Sequence, residues 1–475
     1  MPTLHGTIFD AASGASLEAK VHVIDSTGHF RSPGDCLLKV GSGRPFFYCA
    51  GSFEVRVERG TTEILVERGT EYEPLRVALS VPPQGHLDVE LPLKRWTNLP
   101  DAGWYPGNTH IHYDDKETRA DDRLRLDPHV HEFHVTVVSI LQRRDLPYAS
   151  NKYPIGVLTD VSTAHHVVDI GEENRHNDLP WRIGYGHVMF LRIRNVVEPV
   201  SRGVLVNDFD PDYPPLCVVC DDAREQGGLV LWCHNGNGME APVAAALGKL
   251  DGFNLFDPFW MDPEYDIWYR LLNCGFDLPA STGSDWFVCS NNRVYVQTDG
   301  AFTYDRWIDG MKAGRTFITN GPALFLHVNG QEPGSWLSAG RALEARVGWQ
   351  SHYPLNRIDL VMNGQIVARW DYPNGSVAGE VPCTLRPETD GWVAARCSGT
   401  ARDSFDQAVY AHTSPVWFTA GRPPVQRGED ALFFIRSIDQ ALDWVRQKGR
   451  FTKDEQREAV CELFRRGQMV YERLA

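Results

Sequence analysis

The first residues in this chain with evident chemistry are two histidines one position apart. His110 and His112 lie in Gly107-Asn108-Thr109-His110-Ile111-His112-Tyr113-Asp114. On a strand, alternate side chains share a face, so both rings point one way and Ile111 the other. Two imidazoles on one side can grip a divalent ion. Imidazole suits zinc, iron, copper or nickel, and neighbouring carboxylates admit manganese. His234 follows the apolar run 229–233 and opens Asn235-Gly236-Asn237-Gly238. Asp285 ends Thr282-Gly283-Ser284-Asp285, after the short run 278–281. In α/β barrels the loops at strand C-terminal ends carry the chemistry. A hydrolytic zinc site needs such ligands and an open position for water. Two more candidates lie between: Glu173, in Gly171-Glu172-Glu173-Asn174-Arg175, and His187, ahead of the apolar run 188–191. A carboxylate such as Glu173 has two oxygens to share between two ions. Taken singly, each residue has an ordinary reading: a hydrogen-bonded histidine, a loop charge, a helix N-cap at Asp285. Their joint occurrence at separate strand ends points to a metal.

These residues need a scaffold. In residues 1–95, Phe53, Val55 and Val57 alternate with Glu54, Arg56 and Glu58, and Leu87, Val89 and Leu91 with Asp88 and Glu90. That period of two predicts an N-terminal β-sandwich. Residues 96–320 alternate apolar runs with helix-like segments. Pro214 and Pro215 precede a helix over 216–226, Gly227-Gly228 closes it, and the strand 229–233 follows. A second helix is predicted over 265–273. Such repetition predicts an α/β barrel or layered sheet carrying the metal residues. Residues 321–420 return to alternation, with a hairpin turn at Asn363-Gly364, and predict a C-terminal β-sandwich. Residues 421–475 predict a helical tail, with Leu432, Ile435, Leu442 and Val445 on one face and a capping box of Thr452 and Glu455.

Four stretches together resemble the CehA/McbA branch of the PHP (polymerase and histidinol phosphatase) superfamily, mainly over residues 96–330. They are Trp-Tyr-Pro-Gly-Asn-Thr-His-Ile-His at 104–112; Gly186-His187; Tyr-Arg-Leu-Leu-Asn-Cys-Gly at 269–275 with Gly283-Ser284-Asp285; and Ala-Gly-Arg-Thr-Phe-Ile-Thr-Asn-Gly-Pro at 313–322. The resemblance implies a multi-domain α/β protein. Its centre would be a PHP-like distorted (βα)7 barrel, flanked by the two β-sandwiches and the helical tail. It implies metal ligands at His110, His112, Glu173, His187, His234 and Asp285. It also implies hydrolysis of a carbamate, amide or ester, phosphoesters included. The chain departs from the family pattern in three places. Asn108 stands where an Asp is common, Phe287 where the pattern ends in His, and Asp160, His165 and His166 only loosely match a further Asp-His pair. These departures reduce a three-metal site to one or two divalent ions, of zinc, manganese or iron.

The expected chemistry is hydrolysis of a small molecule, in which a bound ion brings the pKa of water toward neutrality and polarises the scissile group. Asp285 would hold or accept the water proton, and His187 or His234 would serve the leaving group. A net charge of −15 argues against a broad nucleic-acid footprint, which needs clustered Lys and Arg. A small anionic substrate stays open, since an ion reverses the local field. No stretch approaches a membrane span. The N-terminus lacks a signal-peptide pattern, and the 10 cysteines are scattered as free thiols would be, so the expected location is cytoplasmic. The competing reading is a non-catalytic carbohydrate- or ligand-binding protein with a degenerate metal site, its pocket walled by Trp96, Trp104, Trp181, Trp260 and Trp286. Cys217 and Cys220 offer a weaker redox reading. Serine-nucleophile, P-loop and Rossmann signatures are lacking.

Overall fold

The computed structural model describes the chain apart from residues 42, 145, 180–181, 208, 256–263 and 339–341. Near the N-terminus, Thr3–Asp10 pairs with Ser52–Arg56 and His86–Leu93 in a three-stranded sheet. A six-stranded sheet centred on Glu18–Ile24 packs against it. Their alternating inner side chains, among them Leu4, Ile8, Val21, Phe53, Val55 and Leu91, share one core.

The remaining named strands form a single curled sheet of 18 strands. The apolar strand Val135–Ile140, buried along its length, pairs in parallel with Trp104–Ile111 on one side and Val167–Leu179 on the other. Val167–Leu179 then turns into Arg182–Leu191, its antiparallel partner, which pairs antiparallel with Leu229–Trp232. Parallel pairing resumes through Gly252–Asn254 and Ala280–Ser281. Beyond Ala280–Ser281 the chain meets the first strand again: Ile111 bridges Asp285 in parallel, and the His112 N–H donates to the Asp285 carbonyl at 3.0 Å. The sheet thereby brings residues far apart in sequence to one place.

The expected (βα)7 barrel is not what forms. Strand takes up 43% of the molecule and helix 21%, too little helix for a crossover after every strand. Seven α-helices serve all the described residues, two of them in the tail. The physical reason lies at 179–182. A parallel neighbour needs a crossover of a dozen or more residues, whereas only two residues separate Val167–Leu179 from Arg182–Leu191, so the chain must turn back as a hairpin. The later strands are continuous with the central sheet, since Thr316–Thr319 pairs with Ala408–Thr413. They keep their own core around Leu324, Val347, Ile358 and Val393. The hairpin at Asn363-Gly364 joins the long strands Leu343–Met362 and Gln365–Leu385, both turn residues having positive φ, as a type I′ turn requires.

The helix Leu216–Glu225 begins behind Pro214 and Pro215, and Gly227 (φ 87°) ends it. Its first two N–H groups are capped from a distance: Leu216 and Cys217 donate to the buried Glu240 carboxylate at 2.8 and 2.7 Å, satisfying orphan donors of the first turn. The tail helices Gln426–Gln447 and Asp454–Glu472 dock on the body. Asp430 accepts from Arg270 and Asn273, and Tyr471 Oη donates to the Pro242 carbonyl. The docked face is Phe434, Ile438, Ala441, Leu442 and Val445, while Leu432 is 46% exposed, one step off the predicted stripe. The expected capping box of Thr452 and Glu455 does not form: the N-cap is Lys453, without a side-chain cap, and Thr452 donates to the Gln456 side chain. Among the described residues, no helix is long and apolar enough to cross a membrane.

Candidate metal centre

All six residues singled out for metal binding converge. His110 is on the last turn of pleat in Trp104–Ile111, and His112 stands just beyond it on the same face. Glu173 comes from Val167–Leu179, and His187 from the strand hairpinned to it. His234 and Asp285 follow Leu229–Trp232 and Ala280–Ser281. Both have φ near 57°, a left-handed conformation that costs a non-glycine residue ~1–3 kcal/mol and gathers at functional sites. Gly283 lets this loop come close: a Cβ there would sit 2.6 Å from the His110 backbone nitrogen. Asn108 fixes the approach, since its Oδ1 accepts from the His110 and Ser284 N–H groups and its Nδ2 donates to Ser284 Oγ. Asn108, where the resemblance prefers Asp, is therefore a clamp between two backbones.

The six side chains form two groups that share Glu173. On its Oε2 side, His112 Nε2 lies at 2.8 Å and His110 Nε2 at 3.5 Å. The two imidazole nitrogens are 3.1 Å apart, and Asp285 Oδ1 is 3.2 Å from His110 and 3.6 Å from His112. On its Oε1 side, His187 Nδ1 lies at 3.1 Å and His234 Nε2 at 3.5 Å. His234 Nδ1 also faces Asp285 Oδ2 at 3.9 Å. His110, His112, Glu173 and His187 are buried; Asp285 and His234 form the solvent-facing side.

Proton positions set the chemistry. His112 Nδ1 faces the Ser139 carbonyl at 3.0 Å, so it carries a hydrogen, and Nε2 is left to face Glu173 Oε2 at 2.8 Å. His187 repeats the arrangement: Nε2 donates to Asn177 Oδ1 at 3.0 Å, leaving Nδ1 to face Glu173 Oε1. Those two atoms are buried and make no hydrogen bond among the described residues. Burial pulls His110 down to about 4 against the pull of Glu173, and takes His187 well below its ordinary value with help from Arg175. Burial alone would raise the Glu173 carboxyl, but Arg175 and the adjoining imidazoles hold it well below the usual carboxylate range. On the Oε1 side the His187 lone pair thus confronts a carboxylate oxygen, acceptor against acceptor, and a cation between them would remove the conflict. The spacing is close to what one needs: tetrahedral bonds of ~2.0–2.2 Å put ligand atoms ~3.3–3.6 Å apart, and the Oε2-side distances run from 2.8 to 3.6 Å, so the tightest of them would open by a few tenths of an ångström around an ion. Ser139 and Asn177 are the outer partners that such ligands need.

The sequence reading gave no role to Arg175, Tyr148, Ser139 or Asn177. Arg175 was legible, since a residue two beyond Glu173 on a strand shares its face; Tyr148, on a loop, carried no signal. Its ring packs edge-on to His112 at 5.3 Å, and burial pushes its hydroxyl up to about 12. Phe287, in the position of the family's last His, stands 6.0 Å from that ring, with Trp286 beside it. Among the described tryptophans of the binding-protein reading, Trp96 and Trp104 share one hydrophobic cluster and Trp286 stands beside Phe287. Trp104 is buried against Phe317 and Trp96 packs on His352, while Trp181 and Trp260 lie outside the described residues. Asp160 and His165 are exposed and, with His166, belong to a different end of the sheet. Cys217 and Cys220 are buried free thiols, raised well above their usual pKa by burial.

No family model and no curated protein matches the chain. Among solved structures, the N-terminal four Ig domains of Dscam1 isoform 8.4 align over 87% of this chain and 96% of theirs, at 9% identity and a TM-score of 0.14, a likeness too slight to speak for fold or function.

Proposed function

We propose that the chain is a metal-dependent hydrolase of small carbamates, amides or esters, phosphoesters included, holding one or two divalent ions of zinc, manganese or iron. One observation carries the reading: four imidazoles and two carboxylates converge in two groups that share the buried Glu173, and His187 Nδ1 and Glu173 Oε1 stand 3.1 Å apart with no hydrogen bond among the described residues. His110, His112, Asp285 and Glu173 Oε2 would hold one ion, and His187, His234 and Glu173 Oε1 a second. A bound ion supplies Lewis acidity and a lowered water pKa. The residues do the rest. Asp285, on the solvent side, has carboxylate oxygens facing both groups, which suits it to hold a water and take its proton. His187 has both ring nitrogens engaged and acts as a ligand, whereas His234, nearer the solvent, is placed to meet a leaving group. Tyr148, Trp286 and Phe287 limit access of water from one side. With all ten cysteines as free thiols, a reducing, cytoplasmic setting goes with this reading.

The test is elemental analysis of protein purified without chelators, followed by panels of aryl carbamates, amides, esters and phosphoesters. We expect one to two ions per chain and a hydrolytic activity that chelation and His110→Ala both abolish. A chain with no ion, or an activity indifferent to both treatments, sinks the proposal.

A further inference from the structure

Arg175 remains unexplained by the metal-centre reading, on which the following inference rests. It stands two residues after Glu173 on Val167–Leu179 and so on the same face. Its Nη1 is 3.6 Å from Glu173 Oε2, and its side chain is only 12% exposed. Its Nε is buried and makes no hydrogen bond among the described residues. Were the centre without ions, Arg175 would be the counter-charge for Glu173. With ions in place that role is gone, because the carboxylate is already overcompensated. Glu173 and Asp285 set against two dications and the guanidinium leave three formal positive charges, and against one dication, one. A guanidinium kept beside dications in a buried position is costly unless another anion joins it. Tyr148, its ring against His112, closes the same corner, close enough to Arg175 and Arg143 for both charges to act on its hydroxyl.

We propose that Arg175 is a specificity-determining residue which docks an anionic group of the substrate, a phosphoryl or carboxylate, against the metal centre. The favoured members of the proposed substrate range are then anions, not neutral carbamates or amides. The planar fork of arginine suits two oxygens of one oxyanion, and its unengaged Nε is a donor of that fork.

The test uses metal-loaded full-length protein, with inorganic phosphate and acetate as probes in titration calorimetry and elemental analysis of the same samples. We expect phosphate or acetate to bind the wild type. Arg175→Gln should bind the preferred probe at least tenfold more weakly with unchanged ion content, and Arg175→Lys should recover part of the loss. Preference for phosphate assigns a phosphoryl group and preference for acetate a carboxylate. Equal affinity of wild type and Arg175→Gln overturns the inference. So does a variant that loses its ions together with the anion, because Arg175 would then serve the metal cage itself. A wild type that takes up no ion overturns the metal reading first, and the two failures are told apart by the elemental analysis.

Discussion

Two groups of histidines sit at opposite ends of the same strands. At one end are His110, His112, His187 and His234 around Glu173 and Asp285. At the other, His134 precedes Val135–Ile140 and His166 precedes Val167–Leu179, with His129 beside them; the rings of His129 and His166 are 4.3 Å apart and those of His134 and His166 5.8 Å, both pairs tilted. Six residues of strand, ~20 Å at ~3.3 Å per residue, separate Val167 from Glu173. The second group brings three imidazoles together against four in the first. What it lacks is a carboxylate between the rings: His166 Nδ1 donates to the Phe133 carbonyl, and His134 packs edge-on against Tyr105 and Phe302. Histidine density alone therefore does not mark a cation site. Rings gathered around a shared, buried carboxylate do.

The sharpest way to break this contrast is to neutralise that carboxylate. Glu173→Gln keeps the shape and removes the charge, and it should weaken ion binding by well over the ~10–100-fold typical of losing an outer partner. His134→Gln with His166→Gln should leave ion binding unchanged. Competition against a calibrated chelator measures both, and equal losses would erase the distinction between the two groups. A smaller effect is expected at Asn177, which fixes His187 through the 3.0 Å hydrogen bond to Nε2. Asn177→Ala should cost one ion ~10–100-fold in affinity and spare the ion on the Oε2 side. Titrations in which both ions weaken together would show that the two oxygens of Glu173 do not divide the ions as described.

The second group should show itself in acid. Burial pulls His134 down to about 3 and His166 to about 4, against ~6.5 in an unfolded chain. The unfolded form therefore takes up these protons first. The stability they confer is whole above pH ~6.5 and is lost as pH falls toward 4 and then 3, at up to ~1.4 kcal/mol per pH unit for each histidine. His134→Gln should flatten the slope between pH 6 and 4 by about one proton's worth, read from urea midpoints at each pH; an unaltered slope refutes the assignment.

Much of the centre was legible because strand periodicity needs only the sequence. His110 with His112, and Glu173 with Arg175, share faces by the period of two. The strand ends before His234 and Asp285 are marked by apolar runs closing on glycine. The global topology was less legible. The parallel order expected of residues 96–320 fails at the turn before Arg182, where the chain reverses by a hairpin, and nothing in the apolar content of either strand distinguishes a parallel from an antiparallel partner. Long-range polar contacts were equally silent: the capping of Leu216 by Glu240 and the clamp at Asn108 depend on residues 24 and 176 positions away.

That clamp gives the finest test, with the smallest expected effect. Asn108 is buried, and Asp is the residue preferred at its position by the family the motifs resemble. In Asn108→Asp, one oxygen keeps the N–H groups of His110 and Ser284, which now donate to 3.2 and 3.0 Å. The other replaces the Nδ2 that donates to Ser284 Oγ at 2.9 Å. Ser284 can turn its hydroxyl hydrogen toward the new oxygen, since its Oγ also accepts from the Ser290 N–H. The geometry thus survives, and the loss should be ~1–2 kcal/mol from one exchanged hydrogen bond and a buried charge, with the same ion count. The carboxylate stays tied to the loop before Asp285 and cannot also turn to the rings. If elemental analysis of Asn108→Asp instead finds an additional ion, the asparagine has been withholding a ligand, and the centre's capacity is set at the clamp and not by Glu173.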